Sequence, residues 1–190
     1  MTDLVILNDA ARSAAESKDR EILVLRVGNP DDELLVSVKE ALVREVGFAT
    51  SIDTSALDPA FAHHPERNQH HSTLLLHRIV ERPAYGIILG VTEVDLYIPI
   101  LTFVFGEAET KGRGAIVSYH RLHDEFYGLA ANPGLLHERL IKEAIHEVGH
   151  VLGLVHCHDY RCVMAASHAV ERIDTKSESF CDVCRALIQP

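Results

Sequence analysis

The stretch His146–Cys157, HEVGHVLGLVHC, places three histidines, a glutamate and a cysteine in an otherwise apolar run. Ionisable groups on a buried segment cost free energy unless each has a partner, so such a run marks a site rather than ordinary core. A metal ion is the partner that would serve all of them. The segment continues a helix with a well-marked start: Asn132 suits the N-cap, Pro133 the first helical position, and Leu136, Leu140, Ala144, Val148 and Leu152 recur with helical period as a buried stripe. At about 100° per residue, His146 lies about 200° from Ala144 and projects away from that stripe, and His150 follows one turn later on the same side. Two imidazoles at i and i+4 can grip one ion, which is the mechanical content of H-E-x-x-H, and Glu147 lies between them near a metal-bound water. Gly153 lets the chain turn sharply at the helix end, which brings His156 round as a third ligand. The competing reading is a set of histidines that merely satisfy a polar cleft without metal.

Just beyond this helix stand all four cysteines of the chain, Cys157, Cys162, Cys181 and Cys184. Their spacing, C-x4-C and then C-x2-C, suits a tetrahedral zinc site. Four unrelated buried thiols would be scattered through the core instead of gathered in two close pairs. A reducing cytosol disfavours pairing them as disulfides. His158, inside the C-x4-C loop, is an alternative ligand, although its adjacency to Cys157 favours an exposed position. The histidine and cysteine sets are separate and each is complete, so two zinc ions per chain are expected.

Upstream, EILVLRVG (21–28) reads as a buried strand, and PDDELLVSVKEALVREVG (30–47) as a helix with acids in its first turn and Gly47 as its stop. Leu34, Val38, Leu42 and Val46 form its core stripe. A second strand is expected around Phe48–Asp53, then a polar loop, then a helix near His71–Arg82 terminated by Pro83. YGIILGVT, ILTFVFGEA and GAIVSYHRL read as three further strands. A β-α-β-α-β opening favours right-handed crossovers and a largely parallel sheet, and the short gap between the later strands allows one antiparallel edge. The fold class is therefore α+β, or mixed α/β: a twisted, mostly parallel five-stranded sheet, two backing helices and a small zinc-bearing C-terminal lobe. A boundary is placed at Gly153, dividing residues 1–153, with the sheet and active-site helix, from residues 154–190, with the third histidine and the cysteines.

Composition restricts the function classes. With 190 residues and 47% hydrophobic content, the chain can bury a full core without disulfides. A formal net charge of −10 repels phosphate backbones and anionic lipid, and no local basic patch offsets it, so neither nucleic acid nor membrane is expected as a partner. MTDLVILNDAARS has neither the basic nor the apolar region of a signal peptide, and LYIPILTFVFG is too short to span a bilayer. The expectation is a soluble, cytoplasmic monomer. Other polar groups have blander readings. His63, His64, His70 and His71 lie in the polar loop and at a helix start, where solvated or capping roles are usual. Nothing in the sequence fixes Tyr119, His120 or His168 in a cleft, and Glu93 and Asp95 after a strand read as loop or supporting groups.

HEVGHVLGLVH resembles the zinc signature of the metzincin clan of metallopeptidases, and the following CHDYRCVM…CDVC resembles the archaemetzincin family, whose motif runs on into four cysteines. The resemblance extends upstream through GVTEVDLY, FVFGEA and GAIVSYHRL. It implies a metzincin-like fold in which His146, His150 and His156 hold a catalytic zinc, Glu147 is the general base, and Met164 is the Met-turn residue under the site. It also implies hydrolysis of peptide or protein substrates by a zinc-activated water. A buried methionine taken alone is more often simple packing. Two other functions compete: a catalytically silent zinc protein that binds peptides or proteins, and an interaction finger built on the four cysteines.

Overall fold

The computed structural model describes residues 21–83 and 86–188. The segment 1–13 that was weighed as a signal peptide, and Tyr85 at the start of one expected strand, lie outside the described residues. Five strands make the main sheet: β1 (Glu21–Val27), β2 (Ala49–Leu57), β5 (Ile87–Thr92), β7 (Gly106–Ala108) and β8 (Gly114–Ser118), in the order β2-β1-β5-β8-β7. All neighbours are parallel except β7, which runs antiparallel to β8 at one edge. Every residue of β5 and β8 is buried, as expected where a parallel sheet is covered on both faces.

Alternation along the strands sorts the core into two layers. Ile22, Val24, Leu89, Val91, Ala115 and Val117 face helices α1 (Asp32–Val46) and α3 (Pro133–Val151), which back one side of the sheet. Leu25, Val27, Ile88 and Ile116 face α2 (Ser72–Val80) on the other side. The end signals of α1 hold in detail: Asp31 accepts a hydrogen bond from the Glu33 N–H at 2.8 Å, and Gly47 closes the helix at φ 80°.

Two segments differ from their sequence-based expectation. ILTFVFGEA was read as one strand, yet only Gly106–Ala108 joins the sheet; residues 98–103 form turns, and Val104 makes a single bridge to Leu96. Pro99 cannot donate to a ladder, and the carbonyls that follow bond to side chains instead. The polar loop after β2 is more ordered than expected. It forms β3 (His63–His64) and β4 (Gln69–His71), an antiparallel pair joined in a second sheet by β6 (Leu96–Tyr97).

After α3 the chain contains no further strand among the described residues, only α4 (Val170–Thr175) and α5 (Asp182–Ile188). Val163, Met164, Ile173 and Phe180 nevertheless pack into the same core as α1 and α3. Arg139 fastens α3 to this segment: its guanidinium donates to Asp174 at 2.7 and 2.8 Å and to Asp124 at 2.8 Å. No described helix is long and apolar enough to cross a membrane.

Helix α3 carries both the core stripe and the histidines, and its first turn hangs on one side chain, Asn132, whose Oδ1 accepts from the Leu135 N–H at 3.1 Å. Asn132→Ala removes that acceptor and lowers unfolding stability by about 1 kcal/mol. A denaturant titration reads this as a lower midpoint at unchanged slope.

Candidate metal centre

The helix brings His146 and His150 one turn apart, and their Nε2 atoms lie 3.1 Å from each other. Each Nδ1 faces a backbone carbonyl, Val163 O at 2.9 Å and Leu154 O at 2.8 Å. A carbonyl only accepts, so each Nδ1 carries the proton and each Nε2 presents a lone pair. Two lone pairs facing at 3.1 Å repel unless a cation lies between them. Gly153, at φ 95°, then turns the chain and carries His156 back, its ring centroid 5.3 Å from that of His146 and 5.0 Å from that of His150. One ring nitrogen from each of the three lies within 4.8 Å of the others. Zinc–nitrogen bonds of about 2.0–2.1 Å in a tetrahedron set nitrogens about 3.3 Å apart, so the donor set fits that ion with modest closure. Burial, and then the charge of Lys176, hold the His146 imidazole well below its usual range; burial and then His150 lower His156. Both are therefore neutral ligands at neutral pH.

Glu147 is buried at 6% exposure, and among the described residues no group donates a hydrogen bond to its carboxylate. Burial, followed by the neighbouring carboxylate of Glu143, pushes its proton affinity well above the ordinary carboxyl range. Glu143 itself is paired with the fully buried Lys176 at 2.7 Å. The histidines and Glu147 open on a cleft of about 540 Å³, with Gly106, Glu107 and Ala108 on one side and Ala166, Ser167 and His168 on the other.

The second cluster holds the four cysteines. All are free thiols, with sulfurs within 4.8 Å of one another, and Cys157 Sγ and Cys181 Sγ are 3.8 Å apart. Zinc–sulfur bonds of about 2.3 Å give a tetrahedral edge of about 3.8 Å, so this set also fits zinc. Burial and then the neighbouring thiols push Cys184 up, and burial pushes Cys162 up, whereas the Cys184 N–H lowers half-buried Cys181. Four crowded thiols cannot all ionise unless a cation joins them. His158 is exposed and stands outside both ligand groups.

The sequence model of peptidase family M54 matches residues 79–190. The archaemetzincin of Methanocaldococcus jannaschii is 42% identical over 168 residues, covering 88% of this chain and 92% of that protein. The chain belongs to the archaemetzincins, peptidase family M54. Solved structures agree: the archaemetzincin of Archaeoglobus fulgidus, crystallised with malonate, superposes with TM-score 0.77 at 33% identity over 88% of this chain and 99% of that one. A zinc-dependent peptidase from Methanocorpusculum labreanum gives TM-score 0.77 at 31% identity over 88% and 100%. The protein is a zinc metallopeptidase by family.

Within this archaemetzincin the remaining candidates are dispersed. Asp95 is consumed by Arg121, which donates to it twice at 2.7 Å, and Glu93 accepts from the Asn29 N–H at 2.9 Å. The Tyr119 hydroxyl accepts from the Asp31 N–H at 3.2 Å, and His120 donates to the Glu93 carbonyl at 3.1 Å. His63, His64, His70 and His71 sit in the small sheet, where His64 and His71 lie edge-on to Tyr97, rather than in a solvated loop. Of this group only His168 lines the cleft.

Sequence reasoning missed two glycines. A Cβ on Gly106 would lie 2.6 Å from Glu147 Oε1, so the edge strand is bare where the carboxylate packs. A Cβ on Gly149 would collide with Met164 Sδ and stand 3.2 Å from Phe180 Cε1, so the helix is bare where Met164 passes beneath it. Glycine inside a helix costs about 1 kcal/mol relative to alanine, and such a cost was the available signal of a packing reason. Met164 is fully buried with Phe180 behind it, so the collision, worth about 1–3 kcal/mol, outweighs the gain in helix propensity. Gly149→Ala is accordingly destabilising, opposite in sign to the same change in an open helix. Thermal unfolding of the double-mutant cycle with Met164→Ala checks it: the loss on Gly149→Ala shrinks when Met164 is already truncated.

Proposed function

We propose that His146, His150 and His156 hold a catalytic zinc ion, that Glu147 is the general base, and that Cys157, Cys162, Cys181 and Cys184 hold a structural zinc. The observation that carries this reading is the pair of imidazole lone pairs facing each other at 3.1 Å, with both protons fixed on the opposite nitrogens by backbone carbonyls. Met164 is the Met-turn residue, seated beneath the bare helix at Gly149. Gly153 divides the chain into an N-terminal subdomain, 1–153, and a C-terminal subdomain, 154–190. Four free cysteines favour a reducing compartment, and we place the enzyme in the cytoplasm as a monomer.

The reaction is hydrolysis of a peptide bond. When bound at the histidines, zinc supplies Lewis acidity, which polarises a carbonyl and makes a water molecule acidic. The chain supplies the rest. Glu147, to which no described group donates a hydrogen bond and whose proton affinity burial raises, takes the proton from the attacking water and delivers it to the leaving amine. Gly106 leaves the room in which that carboxylate sits. Val163 and Leu154 hold the imidazoles in the tautomer that presents Nε2. Glu143, on the same cleft, is neutralised by Lys176, which leaves Glu147 free for proton transfer.

Two outcomes test the assignment. Elemental analysis of zinc-reconstituted protein gives two ions per chain, and a single ion would remove one of the two sites. Glu147→Gln keeps both ions and the fold but loses roughly 100-fold or more in peptide hydrolysis. Turnover equal to the parent would take the base assignment away from Glu147.

A further inference from the structure

The wall of the cleft upstream of β7 is built in an unusual way. Residues 98–103 lack regular structure, yet their backbone is held from several sides. Arg67 donates to the carbonyls of Leu101 at 3.2 Å and Thr102 at 2.9 Å, with its guanidinium stacked 4.2 Å over the Tyr97 ring. Gln69 donates to Thr102 O at 2.9 Å and to Asp95 at 3.0 Å, and it also accepts from Arg67 Nε at 2.8 Å. Asp95 in turn holds Arg121, whose guanidinium lies 4.4 Å over Phe103 and 4.8 Å over Phe126. All of this fixes a turn whose tip carries two apolar side chains in water, Ile100 at 86% exposure and Leu101 at 50%.

The cost of that arrangement calls for a reason. Solvent-exposed apolar residues are common singly, but here two stand together on a braced turn, continuous with the aromatic pair Phe103 and Phe105, whose rings lie 5.2 Å apart. Leu101, Phe103 and Phe105 line the same cleft as His146, Glu147 and His150. Apolar side chains therefore recur from beside the reacting groups, at Phe105 and Phe103, out to Leu101 on the cleft and Ile100 at its rim, with Thr102 among them. A surface already fixed in place spends little conformational entropy when it is covered.

We infer that this braced strip, Ile100 to Phe105, is a docking wall for a bulky apolar side chain of an extended peptide, and that it makes the enzyme select such peptides. The inference rests on the reading above only in taking the histidine cleft as the place where peptide binds. Covering one leucine-sized side chain against the strip is worth roughly tenfold in affinity or more.

The test uses pairs of labelled peptides identical except for leucine or serine at one position, scanned along the chain, with fluorescence anisotropy on zinc-loaded Glu147→Gln protein, which binds without turnover. At one or two positions the leucine member binds about tenfold more tightly. The double variant Ile100→Ser, Leu101→Ser alters only exposed side chains, keeps its zinc and its thermal midpoint, and loses most of that preference. Arg67→Met leaves both apolar side chains in place but removes the brace, and the preference falls there too. Equal binding of leucine and serine peptides at every position, or a full preference retained in the double variant, overturns the inference. Cleavage by the unmodified enzyme separates the two proposals: binding preference without any hydrolysis would sink the hydrolytic reading and leave the docking wall standing.

Discussion

The arrangement depends on two hydrogen bonds that cross from the active-site helix to the chain beyond it, His146 to Val163 O and His150 to Leu154 O. They fix which ring nitrogen carries the proton, and so which nitrogen is free to bind an ion. They also require that the C-terminal segment be in place before the site exists. Each bond is worth only about 1 kcal/mol in net stability, but its loss would free the ring to rotate and disperse the ligand set. The sharp turn at Gly153 serves the same end, since Leu154 must fold back far enough for its N–H to reach Gly149 O at 2.9 Å while its carbonyl meets His150.

The same logic extends along helix α3. Arg139, Lys142, Glu143, His146 and Glu147 are all buried, a run of polar residues that an isolated helix could not hide. The C-terminal segment answers most of them in turn: Asp174 for Arg139, the Ile173 carbonyl for Lys142, Lys176 for Glu143 and the Val163 carbonyl for His146. Removing one partner of a buried charged pair costs about 3–5 kcal/mol because the other is left uncompensated, so the segment is held to the helix at several points at once. Among the described residues no group donates a hydrogen bond to Glu147.

Much of this was legible in the sequence where the signal is local. The Asn132 cap, the apolar stripe, the histidines at i and i+4, Gly153 and the two cysteine pairs are each read within a few residues, and spacing alone places them on a helix or a turn. The partner set was not legible. Lys176 reads as an ordinary surface lysine until the fold sets it against Glu143, and nothing near Met164 in sequence announces that it needs a bare patch at Gly149. Non-local pairing also hid the second sheet, because β4 finds β6 only after α2 and β5 have intervened. The strand expected over residues 100–108 failed for a related reason: its apolar composition was correctly seen, but the side chains that capture its carbonyls, Arg67 and Gln69, come from far upstream.

The two candidate metal-binding sets meet at a single peptide bond. His156 belongs to the first and Cys157 to the second, and neighbouring α-carbons are only about 3.8 Å apart. The Cys157 N–H, moreover, donates to Met164 O at 2.9 Å, so the strand of chain that carries the third histidine is hydrogen-bonded to the residue that supports the helix from below. Anything that draws the four sulfurs together therefore also fixes His156. Of the three imidazoles it is the exposed one, with no helix to hold it and no backbone hydrogen bond to its ring among the described residues. The helix places His146 and His150 by its own geometry, whereas His156 lies beyond the helix end, one peptide bond from the cysteine cluster.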